Sequence, residues 1–126
     1  MMKSQEFSQA RQYHRDRAKA RAAVQEQKRQ QRYTQVRAAV QRLAPRFPAV
    51  QAVYLFGSLV RPGYFNRHSD IDVAVQGYDV QAESRFWQAL EAELNTPVDL
   101  RPYRGAVAWA VDTYGERIYE RTLSHS

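Results

Sequence analysis

Apolar residues recur at two periods along this chain, and the change of period divides a helical part from a part that alternates strands and helices. From about Ser4 to Leu43 there is no Gly or Pro, and Ala, Gln, Arg and Lys dominate. All four are good helix formers, so the stretch predicts a helix. Its second part carries Tyr33, Val36, Val40, Leu43 and Phe47 at spacings of three and four, a single apolar stripe of the kind that lies on a sheet. The first part has only scattered apolar residues, Phe7, Ala10, Tyr13, Ala20 and Val24, so the helix before about Gln30 reads as an extension that projects or contacts another chain. Pro45 and Pro48 stop the helix before the first strand.

Beyond the prolines the pattern predicts a strand at about 50 to 56, a loop at 58 to 68 and a strand at 70 to 76. A helix at 82 to 94 follows, with Phe86, Leu90 and Leu94 inward, then a third strand at 97 to 101 and a helix at 105 to 114 that Gly115 ends. Arg117 to Glu120 reads equally as a short edge strand or a frayed helical turn. The expected architecture is α/β (α+β), a small mixed β-sheet with helices packed on it, preceded by a long N-terminal helix. Residues 1–30 form a basic helical extension and 31–126 one domain.

At 126 residues the chain is long enough for one modest core. No apolar run approaches the length needed to cross a bilayer, and the start, Met-Met-Lys-Ser-Gln-Glu, has no hydrophobic secretion segment, so a cytoplasmic protein with no membrane partner is expected. The absence of cysteine excludes disulfides, thiolate zinc sites and a Cys nucleophile. Charge is distributed unevenly. Residues 1 to 46 hold 12 Lys or Arg against 3 acids, and 47 to 126 hold 7 against 10, giving +9 and −3. The basic arm is compatible with a solvated or partner-packing helix and also with nucleic-acid binding.

Candidate chemistry gathers between Val53 and Val75. Val-Tyr-Leu-Phe runs into Gly57-Ser58, and Asp70 and Asp72 alternate with Ile71, Val73 and Val75. Side chains alternate faces on a strand, so the two carboxylates are expected on one side, close enough to share a cation. Alone, such a pair is the ordinary polar face of a half-buried strand. Asp99, flanked by Val98 and Leu100 in the next predicted strand, changes the reading because it can join the same face. Two unit charges about 4 Å apart cost roughly 4 kcal/mol at an effective dielectric near 20, a cost that a divalent cation removes. With oxygen ligands alone, Mg²⁺ or Mn²⁺ is the expected ion, completed by substrate phosphates. Gly57 allows close backbone approach to a phosphate and the Ser58 hydroxyl can donate to it, although a plain strand-ending turn with Ser58 as an N-cap has the same sequence. Arg61 is a nearby cation able to steady a triphosphate. G-x-x-x-x-G-K-[ST], G-x-G-x-x-G and G-x-S-x-G are all absent. His14, His68 and His125 show no ligand spacing and receive no role.

Together, Leu-Phe-Gly-Ser, Ser-Asp-Ile-Asp-Val-Ala-Val and the later Val-Asp-Leu resemble the minimal nucleotidyltransferase (MNT) domain of the DNA polymerase β-type superfamily, from about Tyr33 to Tyr119. The resemblance implies a nucleotidyltransferase-like fold over 31–126, with Gly57 and Ser58 binding the phosphates of ATP. It also implies that Asp70 and Asp72 hold two Mg²⁺ ions and that Asp99 contacts the one that activates the acceptor hydroxyl. Minimal members of the family include antitoxins that pair with HEPN-type RNase toxins and adenylylate a toxin tyrosine, and Asp112-Thr-Tyr-Gly-Glu-Arg-Ile-Tyr-Glu resembles their usual chain end. The implied activity is AMP transfer to a HEPN-type partner in a hetero-oligomer. A catalytically silent binding module and a nucleotidyltransferase acting on a small molecule or tRNA are the alternatives. The turn departs from the frequent Gly-Ser-Arg-x-Arg-Gly pattern in having Leu59 and an added Pro62.

Overall fold

The computed structural model describes residues 4–77 and 79–122. His125 lies outside the described residues. Helix α1 runs unbroken over Ser4–Leu43, followed by a 3₁₀ turn at Ala44–Arg46 whose Pro45 occupies a position where a missing N–H costs nothing. Strand β1 is Val50–Phe56, and a second 3₁₀ turn, Gly57–Val60, leaves its end. Strand β2 (Ile71–Gly77), helix α2 (Val80–Leu94), strand β3 (Val98–Pro102), helix α3 (Gly105–Tyr114) and strand β4 (Glu116–Glu120) complete the order. The predicted elements are present with small shifts of boundary. The segment at 117 to 120 is the edge strand of its two readings.

The four strands form one sheet in the order β3-β2-β1-β4. β1 is antiparallel to both β2 and β4, and β2 is parallel to β3 through the α2 crossover, so the sheet is mixed. The expected stripe of α1 supplies Val36, Val40 and Leu43 to the core, where they meet Val53, Leu55, Val73 and Val75 of the sheet and Phe86 and Leu90 of α2. Tyr33, Phe47 and Leu94 are partly buried at its margin. Asp79 caps α2 by accepting from the Gln81 N–H at 2.9 Å. Ala52, Ala74, Ala110 and Val111 are buried apart from that cluster, where α3 packs on β1 and β2. The sheet therefore carries its large core under α1 and α2 and a small one under α3. Among the described residues, no helix is long and apolar enough to cross a membrane.

The extension is continuous with the helix that packs the core. Residues from Arg11 to Val24 are exposed, and Arg29, held by Glu26 of the same helix, reaches the body at the Leu59 carbonyl. Farther along, the Tyr33 hydroxyl donates to Glu116 Oε1 at 2.6 Å and Gln41 Nε2 to the Ile118 carbonyl at 3.3 Å, tying α1 to β4.

Candidate active site

Strand alternation sends Ile71, Val73 and Val75 into the main core and leaves Asp72, Ala74 and Gln76 on the opposite face. In the parallel register Asp72 pairs with Asp99, so the two carboxylates stand on neighbouring strands on one face. Across the antiparallel pair Asp72 faces Phe56, the last residue of β1, and this sets it beside Gly57. Gly57 has φ of 74°, in the region where a side chain is strained, and a Cβ built on it would collide with the Asp72 carboxylate. The turn thus brings bare backbone against a carboxylate, and both reasons require glycine.

The electrostatics follow from this crowding. Burial, followed by the charges of Asp99 and Asp70, pushes the Asp72 carboxyl up to about 6. Arg101 opposes the rise. It reaches Asp99 from two residues along β3, with Nε to Oδ1 and a terminal nitrogen to Oδ2 both at 3.2 Å, and it also acts on Asp72. Asp70 stands just before β2 and is exposed. A compact turn precedes it: Asn66 N–H donates to Ser69 Oγ at 2.9 Å, Ser69 N–H to the Asn66 carbonyl at 3.0 Å, and His68 N–H to Asn66 Oδ1 at 2.8 Å. Asp70 also lines a pocket of about 380 Å³ between α1 and this loop.

The structure brings Asp72 and Asp99 together and places Asp70 within electrostatic reach of Asp72. Among the described residues, no group of three or more His, Cys, Asp or Glu is assembled that could hold a metal ion. The donor chemistry nevertheless fits a hard divalent cation, because an oxygen-only pair whose shared charge is already disfavoured gains from one. Such an ion would compete with Arg101 for Asp99.

Ser58 lies inside the 3₁₀ turn, whose N-cap is Phe56, so it is not the N-cap of the plain-turn reading. Leu59, which replaces the family's frequent Arg, is fully buried in the main core. Arg61 leaves the turn with its guanidinium over the rings of Tyr64, at 3.9 Å, and Tyr114, at 4.6 Å. His14 sits edge-on to Tyr13, and His68 Nε2 accepts from Arg67.

Two residues near the site carry no mark in the sequence reading. Arg29 donates from α1 to the Leu59 carbonyl at 3.0 Å and is held by Glu26, which holds its own carboxyl well down, at about 2, through that hydrogen bond. Thirty residues separate Arg29 from Leu59, so no local pattern signals the contact. Arg101 does carry a signal, since it lies two residues from Asp99 on a strand and must share its face.

Comparison with known proteins identifies the family and structures of the same fold. The family model for polymerase beta nucleotidyltransferases matches residues 38–123. Among solved structures, a chain in the crystal structure of a toxin–antitoxin with AMP-PNP is 32% identical with a TM-score of 0.56, over 68% of this chain and 73% of that one. A chain in the structure of tri-AMPylated Shewanella oneidensis HEPN toxin in complex with MNT antitoxin is 28% identical, with a TM-score of 0.52 over 71% and 73%. A putative nucleotidyltransferase from Sulfolobus solfataricus, 20% identical with a TM-score of 0.51 over 79% and 88%, shares the fold. No curated protein matches the chain. Since residues 38–123 take in all four strands and the turn between β1 and β2, the chain belongs to the polymerase beta nucleotidyltransferase family.

Proposed function

We propose that this chain transfers AMP from ATP to a tyrosine hydroxyl of a HEPN-type toxin in the cytoplasm, acting as its antitoxin. The observation that carries the reading is the Asp72–Asp99 pair set against the bare backbone of Gly57. The likeness to chains from toxin–antitoxin structures, one with AMP-PNP and one with a tri-AMPylated toxin, supports the choice of nucleotide and acceptor.

In this reading the Gly57 backbone, the Ser58 hydroxyl and Arg61 bind the triphosphate and hold its α-phosphorus toward the carboxylates. Asp70, Asp72 and Asp99 would hold divalent cations, Mg²⁺ by donor type, which when bound lower the pKa of the acceptor hydroxyl and offset charge on the leaving group. Asp99 accepts the acceptor's proton. The freed oxygen forms a bond to the α-phosphorus as the bond to the bridging oxygen breaks, and pyrophosphate departs with that electron pair. The sheet face beside Asp72 and Asp99 leaves little chain to enclose an acceptor, so the partner is expected to complete the site.

The test is incubation with ATP, Mg²⁺ and the cognate partner, followed by intact-mass measurement. One AMP or several should appear on the partner, and its RNase activity should stay silent after this chain is removed. A partner silenced only while bound, with no added mass and with Asp70, Asp72 and Asp99 all changed to Asn to no effect, would establish the silent binding module instead.

A further inference from the structure

Along α1, Tyr13, Arg17, Arg21, Val24, Lys28, Arg32 and Gln35 recur at intervals of four and three. They occupy one face of the helix, about 100° wide and turned aside from the core stripe of Val36, Val40 and Leu43. The cations on this face differ from those held in ion pairs. The ion pairs among the described residues join Arg29 to Glu26, Arg42 to Glu93, Arg101 to Asp99 and Arg117 to Glu120. None includes Arg17, Arg21, Lys28, Arg32 or Arg67. From Arg17 to Arg32 the helix rises about 22 Å, and the track then enters the 380 Å³ pocket, where Lys28 and Arg32 meet Arg67 of the opposite wall.

That pocket adds three features to the file of charge. Its lining includes the amides of Gln31, Gln35 and Asn66, the ring of Phe65, and one carboxylate, Asp70. At the far end of the track the Tyr13 ring is 56% exposed, with the Arg17 terminal nitrogen 3.0 Å from its hydroxyl. Cations one row wide, an exposed ring at the far end, and amides beside a half-buried ring in the pocket match a single phosphodiester strand with unstacked bases. An acidic protein surface would not need the exposed Tyr13 ring at the end of the row, and a docking protein would call for an apolar centre, which this face does not have beyond Val24. The Asp70 carboxylate repels phosphate but accepts from a hydroxyl, which the 2′ position of ribose offers and deoxyribose does not.

We infer that the Arg17–Arg32 face of α1 and the Arg67 pocket bind single-stranded RNA. The binding needs neither ATP nor metal, and it shares only the Asp70 carboxylate with the transfer site. Five phosphate contacts on a single strand give a log–log salt slope of about −3.5, so affinity falls about a hundredfold between 50 and 200 mM salt.

The experiment uses the full chain and a fluorescent oligouridylate of about twelve nucleotides, followed by anisotropy over that salt range without nucleotide or metal. The variant R21Q/K28Q/R32Q should bind more weakly and lose only about sevenfold over the same range, since three contacts have gone. R11Q/R15Q/K19Q removes the same charge from another face of the same arm and should keep the wild-type slope. Circular dichroism confirms that both variants retain the helix. Four results would each overturn the inference: no binding of RNA at the lowest salt, equal weakening by the two triple variants, displacement of RNA by an equally charged oligoglutamate as readily as by unlabelled RNA, or equal affinity for oligothymidylate of the same length.

Discussion

Replacing Asp72 by Asn is expected to stabilise the folded chain while ending nucleotide transfer. In the native structure burial and the neighbouring charges of Asp99 and Asp70 raise this carboxyl from 3.8 to about 6. A rise of that size corresponds to about 3 kcal/mol between its two protonation states. Solvent still reaches the half-buried side chain, and screening reduces the figure to about 1 to 2 kcal/mol. The direction with pH follows from linkage. Below about pH 4 the carboxyl is protonated in both folded and unfolded chains, and the cost is absent. Between about pH 4 and 6 the unfolded chain ionises first, so stability falls as pH rises, and above pH 6 the full cost persists. Asn carries no charge at any of these values. The variant should therefore melt about 3 to 8 °C higher at about pH 7.5 and at the same temperature as the parent near pH 4. Thermal unfolding followed by circular dichroism in EDTA at low salt measures both. Adding Mg²⁺ should narrow the gap by stabilising the parent alone. A variant that melts lower than the parent at pH 7.5, or a gap that survives unchanged at pH 4, would refute the placement of Asp72 among repelling carboxylates.

Nucleotide binding is expected to need a divalent cation, because the carboxylates otherwise repel a triphosphate as well as one another; calorimetry with ATP should show measurable affinity in Mg²⁺ and little in EDTA, and equal affinity would remove the metal from the site. Gly57→Ala should cost about 1 to 3 kcal/mol, since alanine at φ 74° is strained and its methyl group meets the Asp72 carboxylate. Urea unfolding reads this, and an unchanged midpoint would mean that the turn is not held as described. Truncation of the arm should depend on where it ends: a chain starting near Val24 should melt like the parent, whereas one starting at Gln31 loses Glu26 and Arg29 and with them a charged hydrogen bond to Leu59 worth about 1.5 to 3 kcal/mol. The same shorter chain should show a raised KM for ATP, and identical behaviour of the two truncations would discount the Arg29 contact.

Much of the architecture was legible because it rests on short-range periodicity. The absence of Gly and Pro before Leu43, the three-and-four stripe from Tyr33 to Phe47 and the alternation through Ile71 and Val75 are each set by how neighbouring side chains project from a local backbone. These specified α1, β1, β2, α2, β3 and α3 within a few residues. Arg117 to Glu120 stayed ambiguous for the same reason. Four residues have no preference strong enough to choose, and the choice fell to the free edge of β1, which hydrogen-bonds them as part of β4.

The site divides along the same line. Alternation alone puts Asp72 away from the core and gives Asp99 and Arg101 one face of β3, and the Gly-Ser turn is visible at the end of an apolar run. Only the sheet order sets Asp72 level with Asp99, because strand pairing is decided by the α2 crossover and by packing beneath the sheet rather than by either strand. Tertiary packing also turned Leu59 into the core and brought Arg29 across to its carbonyl, a contact between residues thirty positions apart. It left Asp70 outside β2, at the rim of a cationic pocket, where a purely alternating strand would have set it beside Asp72. Sequence fixes which way a side chain leaves its own backbone; what it meets there depends on burial and register summed over the whole chain.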